Sequence, residues 1–260
     1  MSKYKKKFVL FLNFLNRCKF INKIFSEIKK IETIKSLYYE NDIFRFIDRN
    51  YITNYRFLTF RTKEPDTLTW IKKMKKNSVF WDIGANVGLY SIFAAKTASA
   101  KVYAFEPSFL NLELLYKNIN INLLKDRITI IPVALSNKCE EGYFQLGSLD
   151  YGGALSTFAN KYNKDKKNNN SYKTISITSL KIKKIFSLKN PHYIKIDVDG
   201  LEYEILQSLE SLFKDVRSIL VENIMNNLIM HKNIKNILKK NNFHLSEDGM
   251  GENQIWYKIN

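Results

Sequence analysis

The segment Val79-Phe80-Trp81-Asp82-Ile83-Gly84-Ala85-Asn86-Val87-Gly88-Leu89-Tyr90-Ser91 constrains this chain more than any other stretch. An apolar strand runs straight into a turn bracketed by two glycines, and the turn opens a helix carrying Ile92, Phe93, Ala94 and Ala95. Gly84 has no Cβ, so it can take a positive φ and bring the backbone close to a bound molecule, while Gly88 allows tight packing of the helix on the strand. Such a corner suits a nucleotide-like ligand. The Gly-x-x-x-Gly spacing lacks the third glycine of the dinucleotide fingerprint and has no Lys-Ser or Lys-Thr pair to meet a phosphate. A phosphate cradle is therefore not expected.

A second apolar strand, Val102-Tyr103-Ala104-Phe105, ends in Glu106-Pro107, and an acid at that position accepts the hydroxyl protons of a ribose. Strand, glycine turn, helix, strand and acid make a mononucleotide-binding half. With Asp82 at the end of the first strand, the chemistry suits S-adenosylmethionine, a cation with a ribose and no phosphate.

Further along, Ile128-Thr129-Ile130-Ile131 reads as a third strand, and Ala134 just beyond its end is placed beside the adenine. Tyr193 to Ile196 and Ser218 to Val221 read as a fourth and fifth, and Phe243-His244-Leu245 with Gln254-Ile255-Trp256-Tyr257 as a terminal pair. Alternation of strand and helix argues for an α/β fold with a mainly parallel sheet covered on both faces. Ligands in such sheets lie beyond the carboxyl ends of the strands. Read together, those ends supply Asp82, Glu106, Lys195, Asp197, Asp199, Glu222 and Asn223. Lys195, Asp197 and Asp199 alternate by two, so while the strand stays extended they project to one side.

Lys195, Asp197 and Glu222 are the catalytic candidates. A carboxylate near the sulfonium can take the proton of an attacking hydroxyl, and Lys195 can stabilise the developing alkoxide. Asp197, Asp199, Glu222 and Asn223 also offer the hard oxygen ligands that a divalent ion such as magnesium would need. The plainer reading is a Lys195–Asp197 ion pair that orders the strand end, with Glu202 complementing its own helix N-terminus. His192, His231 and His244 are isolated and read as satisfied or exposed residues.

The net charge is +17, which permits binding to nucleic acid, an anionic membrane or a pyrophosphate-bearing substrate. Cys18 and Cys139 show neither zinc spacing nor a disulfide framework, so a reducing cytoplasm is the expected location. Lysines precede Phe8-Val9-Leu10-Phe11-Leu12, but Asn13, Asn16 and Arg17 interrupt that run, which is too short to span a membrane and lacks a cleavage site. Ile21, Ile24, Phe25, Ile28 and Ile31 recur at helical spacing between lysines. Two readings of this basic helix stay open: packing on the main domain or on a second subunit as a homodimer, and peripheral contact with an anionic membrane. Residues 1–60 are expected to be a helical, basic, aromatic-rich extension to a domain over 61–260. Pro65 and the acids beside it start a short helix there. The irregular polar stretch 147–171 is expected to be a substrate loop or lid, with 147–158 as the loop and 161–171 as its mobile tip.

Four blocks together resemble the FkbM-type S-adenosylmethionine-dependent methyltransferases: Lys63-Glu64-Pro65 with Thr67-Leu68, Phe80 through Ser91, Ala104-Phe105-Glu106-Pro107, and Ile194 through Glu202. They stand in family order and cover about residues 55 to 225. Where the family commonly has Asp-Val-Glu-Gly, this chain has Asp197-Val198-Asp199-Gly200. The resemblance implies a Rossmann-like class I methyltransferase fold with a seven-stranded sheet. It places Asp82, Gly84, Asn86 and Gly88 around the methionine part of the cofactor and Glu106 on its ribose. It also implies O-methylation of sugar hydroxyls, in a nucleotide-sugar or glycan precursor of bacterial capsule or other surface polysaccharide. A nucleic-acid methyltransferase, and an adaptor that keeps the fold without activity, are the rivals. A nucleic-acid partner is not expected, because an acidic strand end repels a phosphate backbone.

Overall fold

The computed structural model describes residues 7, 21, 23, 24, 32–159, 170–222, 227–246 and 253–259. The basic N-terminal helix, with its dimer and membrane readings, lies almost wholly outside the described residues, as do Asn223 and the loop tip through 169. The chain divides into two compact units, 1–34 and 35–260, and the second holds both the main sheet and the glycine corner.

Strands β1 (Thr33–Tyr39) and β2 (Asp42–Asp48) form a hairpin, followed by helices α1 (Tyr51–Leu58) and α2 (Pro65–Lys72). Helix was expected over the whole of this region, and for β1 and β2 that expectation is corrected. Phe44 and Phe46 are two residues apart and both buried, the period of a strand and not of a helix. The exposed backbone of β2 is satisfied by a neighbouring helix. Arg45 N–H donates to Asn122 Oδ1 at 3.0 Å and Ile47 N–H to Asn118 Oδ1 at 2.9 Å. Two asparagines one helical turn apart thus stand in for a partner strand. Residues 35–60 are therefore packed into the same core as the glycine corner, with Phe44, Phe60 and Phe93 in mutual ring contact.

The main sheet is built from β3 (Val79–Ile83), β4 (Lys101–Phe105), β5 (Ile128–Ile131), β10 (Tyr193–Ile196), β11 (Ser218–Glu222), β12 (Phe243–Leu245) and β13 (Asn253–Lys258). Its order is β12-β13-β11-β10-β3-β4-β5, with β13 antiparallel to both its neighbours and the other pairings parallel. The expected α/β fold with a mainly parallel seven-stranded sheet is present. Each strand divides its residues between two cores: Phe80, Val102 and Leu220 face one side, while Trp81, Phe105, Ile194 and Trp256 face the other. Helices α3 (Leu89–Thr97), α4 (Phe109–Ile121), α5 (Ser179–Ile185), α6 (Glu202–Leu209) and α7 (Leu228–Lys240) accompany the strands. The chain builds outward from β3 through β4 to β5, then returns to add β10 and β11 on the other side of β3. That reversal makes the carboxyl ends of β3 and β10 the switch point, where a crevice opens.

The stretch from 140 to 180 is more regular than its composition suggests. β6 (Ala134–Leu135), β7 (Glu140–Gln145), β8 (Thr157–Ala159) and β9 (Ser171–Ile177) form a second, four-stranded sheet in the order β6-β9-β7-β8. Among the described residues the irregular segment reduces to the turn between β7 and β8. Among the described residues no helix is long and apolar enough to cross a membrane.

Candidate active site

At the glycine corner, Gly84 and Ala85 donate their N–H groups to Phe105 O at 3.0 and 2.9 Å, tying the turn to the end of β4. Gly84 takes φ 85°, and a Cβ there would sit 1.8 Å from the carbonyl oxygen of Asp197. The close approach it permits is thus first of all to the end of β10, not only to a ligand as expected. Gly88, at φ 88°, begins α3, and its missing Cβ makes room for Leu115 of α4, so the tight packing is helix on helix. Asn86 also adopts the left-handed region, at φ 52°. Its backbone N–H donates to Glu106 Oε2 at 2.8 Å and its side-chain amide to Gly153 O at 2.8 Å.

One cavity spans the ends of β3, β4, β10 and β11. Its wall includes Gly84, Asn86, Glu106, Ala134, Asp197, Asp199 and Glu222. Asp82, Gly88 and Lys195 stand behind that wall. Asp82 is 1% exposed, with Oδ2 accepting the Ser91 hydroxyl at 2.5 Å and Oδ1 buried without a hydrogen-bond partner. Burial pushes its carboxyl up from the usual range, against the pull of Lys195. Glu106 Oε1 accepts the Ser108 N–H at 2.8 Å, and burial, partly offset by the N–H donors, pushes the carboxyl up to about 7.

Lys195 is 1% exposed and pairs with Asp197 Oδ2 at 2.5 Å, with its Nζ 5.0 Å from the centre of the Tyr90 ring. Burial works against its charge, but Asp197, Glu64 and Asp82 together outweigh burial and raise its pKa. For Asp197 the balance is reversed: burial opposes ionisation, yet Lys195 and a hydrogen bond from Glu222 hold its carboxyl below the usual range. Glu222 carries the proton of that contact. Burial first, then the charge of Asp197, pushes it up to about 8. The two carboxyl groups are pushed in opposite directions, Asp197 toward its ionised form and Glu222 toward its protonated form.

Asp199 departs from the expected alternation. β10 ends at Ile196, and Asp199 lies in a left-handed turn at φ 57°, so it does not continue the row of Lys195 and Asp197. Its carboxylate accepts the N–H groups of Leu155 and Ser156, and burial together with the charge of Asp197 raises it. With Asp197 engaged by Lys195 and Glu222, and Asp199 by the 155–156 backbone, these donors do not fit the magnesium site considered from sequence. Among the described residues no group of three or more His, Cys, Asp or Glu is placed to hold a metal ion. Glu202 accepts the Gly200 N–H at 3.1 Å, in keeping with a role at the start of its helix. His192 Nδ1 accepts the Val79 N–H at 2.9 Å.

Several contributors have no role at the site legible in the sequence, although Lys63 and Glu64 stand in one of the blocks that carry the family resemblance. Glu64 accepts the Thr67 hydroxyl and the Asn253 amide, hydrogen-bonds the Tyr90 hydroxyl, and adds a negative charge to the Lys195 cluster. Its place before Pro65 suggests only a helix start. Arg56 of α1 reaches the cavity wall, as does Lys63. The loop between β7 and β8 closes one side. Its Gly152 and Gly153 are fixed by Arg56, Asn111 and Asn86, and its residues 154–158 join the wall.

S-adenosylmethionine asks a site for an apolar slot, an acceptor for a ribose diol and partners for an amino-acid zwitterion. Phe144, Phe158, Leu201 and Ile205 offer the first and Glu106 the second, while Arg56, Lys63 and the wall carboxylates offer charged groups for the third; the unpartnered Asp82 Oδ1 is buried two residues before Gly84. The residues fit the group.

Over 156 residues the chain is 25% identical to the hexuronic acid methyltransferase AglP of Haloferax volcanii, covering 58% of this chain and 58% of that one. The chain thus spans less than two thirds of that relative's length. Similar solved structures include precorrin-6y C5,15-methyltransferase from Geobacter metallireducens, with TM-score 0.44, 12% identity, and coverage of 75% of this chain and 87% of that one. TYW2 of M. jannaschii, in complex with AdoMet, has TM-score 0.40 and 15% identity, with 88% of each chain covered. Residues 82–245, more than half of the chain, match the methyltransferase FkbM domain, and the chain belongs to the FkbM family of S-adenosylmethionine-dependent methyltransferases.

Proposed function

We propose that this enzyme methylates a sugar hydroxyl, in a nucleotide-sugar or other glycan precursor destined for capsule or surface polysaccharide. The observation that carries the reading is the Asp197–Glu222 pair. Both carboxyl groups line the same wall as Glu106, with Asp197 paired to the buried Lys195. When bound, S-adenosylmethionine supplies an electrophilic methyl carbon. The chain's task is to hold an acceptor oxygen in line and to take its proton. Glu222, pushed up to about 8, is a strong proton acceptor once ionised, and its ionised fraction grows as pH rises toward that value. Asp197 and Lys195 keep that proton acceptor oriented, and alignment supplies several kcal/mol of the barrier in such transfers.

A sugar acceptor is supported by the name of the Haloferax relative, a hexuronic acid methyltransferase. The exposed Lys63 at the cavity, within a chain of net charge +17, suits the phosphates of a nucleotide-linked precursor. The same charge favours nucleic acid as a second reading, which the carboxylates of the wall oppose. Calorimetry with S-adenosylmethionine followed by product analysis over nucleotide-sugars and RNA tests the proposal. Methyl transfer to a nucleotide-sugar is expected; transfer to RNA but not to any sugar overturns it, and absence of cofactor binding overturns the enzyme reading itself.

A further inference from the structure

We infer that Arg56, outside the matched family segment, binds the carboxylate of the methyl donor's amino-acid arm, an assignment that rests on the cofactor reading of this cavity.

The cavity wall carries four carboxyl groups, Glu106, Asp197, Asp199 and Glu222. A ligand whose arm ends in a carboxylate needs a cation among them. Lys195 is buried behind the wall and committed to Asp197. Lys63 is exposed and lies 3.6 Å from Glu64. Arg56 is half-buried, and its position is fixed from two sides. The Asn50–Thr53 capping box starts α1, the helix that carries it. Its Nε donates to Gly152 O at 2.7 Å, while the terminal nitrogens make no hydrogen bond among the described residues.

That anchorage sets the guanidinium in the cavity wall. Gly152 precedes Gly153, whose carbonyl accepts the Asn86 amide at 2.8 Å, so Arg56 is held one residue away from the glycine corner. Its charge reaches Glu106, Asp199 and Tyr90, where it offsets a small part of the burial that raises the pKa of each. Arg56 lines the same cavity as Glu106 and Asp199. An amino-acid arm would extend along this wall when the ribose rests on Glu106. A guanidinium with one N–H spent on a backbone carbonyl still offers a forked pair to a carboxylate.

The test compares two ligands that differ in the arm alone. S-adenosylhomocysteine carries the carboxylate, and 5′-methylthioadenosine keeps the nucleoside and sulfur without it. Arg56→Gln retains an N–H donor for Gly152 O and removes the charge; Arg56→Lys retains the charge and loses the fork. Calorimetric titration should show Arg56→Gln weakening S-adenosylhomocysteine by roughly ten- to a hundredfold, with Arg56→Lys intermediate and 5′-methylthioadenosine affinity unchanged in both. Equal weakening of the two ligands would mean that Arg56 only holds the 152–153 loop and would overturn the assignment. So would unchanged S-adenosylhomocysteine affinity accompanied by a raised acceptor KM, which would move the guanidinium to the acceptor. Wild-type protein that binds neither ligand overturns the cofactor reading, and with it this one.

Discussion

Cofactor binding should release a proton from Glu106. That side chain is 4% exposed, and its two oxygens each accept one backbone N–H, from Asn86 and from Ser108, both at 2.8 Å. Burial nevertheless prevails and holds the carboxyl at about 7. A ribose diol donates two hydrogen bonds and therefore needs the ionised form. The ligand binds the deprotonated group, so affinity should rise with pH up to about 7 and then level off. Below that value each pH unit costs about tenfold, or about 1.4 kcal/mol. At pH 5 the loss is roughly a hundredfold. Titration calorimetry with S-adenosylhomocysteine in two buffers of different ionisation enthalpy counts the protons directly. Nearly one should be released per ligand at pH 6, and almost none above pH 8. The product is preferred to the substrate because it has no sulfonium charge to draw the proton from Glu222. Glu106→Gln should bind more weakly, release no proton and show a flat pH dependence. If wild-type protein binds equally well at pH 5.5 and pH 8 with no proton release, the ribose assignment is wrong. Folding stability carries the opposite sign. The protonated side chain is the one the fold prefers, so this contribution is full below about pH 4.5 and is lost as pH rises through about 7.

Gly84→Ala should cost roughly 2–5 kcal/mol by urea denaturation, since the new Cβ meets the Asp197 carbonyl at 1.8 Å with φ already at 85°, and neither backbone can yield. Gly88→Ala should be milder despite its similar φ, because the atom it meets is the end of the Leu115 side chain; a wild-type midpoint for Gly84→Ala would show that β3 and β10 do not converge as described. Glu222→Gln should lower kcat/KM for the acceptor by on the order of a hundredfold or more and remove the rise of activity toward pH 8. A variant that keeps that limb would move the proton acceptor elsewhere. Turnover should be indifferent to EDTA, because Asp197 and Asp199 are already engaged by Lys195 and by the 155–156 backbone; loss of activity restored by added magnesium would sink that argument.

What the sequence made legible was local. A strand, a two-glycine turn, a helix and a second strand ending in Glu106 are contiguous, and each follows from steric and hydrogen-bonding rules over a few residues. The mainly parallel sheet followed because five apolar strands alternate with helices. The hairpin at 33–48 was missed because Tyr38, Tyr39, Phe44 and Phe46 are spaced ambiguously, and what stabilises it is remote: Asn118 and Asn122, more than seventy residues away, supply the missing strand partner. Lys195, Asp197 and Asp199 form one row only if the strand stays extended. The chain instead turns left-handed at Asp199, which the following glycine makes easier, and only the tertiary contact with residues 155 and 156 fixes that geometry.

The same distinction explains why the acceptor side of the site is hard to read from sequence. Glu64, Tyr90 and Asn253 come from three separate regions, and although Glu64 and Tyr90 stand in blocks that resemble the family, nothing local to either shows that they meet. They meet because α2 packs beside β13 and α3 starts at the glycine corner. Together they surround the buried Lys195 ammonium, and the negative charge of Glu64 helps keep it charged beside Asp197. The glycine corner is encoded by adjacent residues, whereas the proposed base, Glu222, sits in a network of charges that exists only once the sheet has closed.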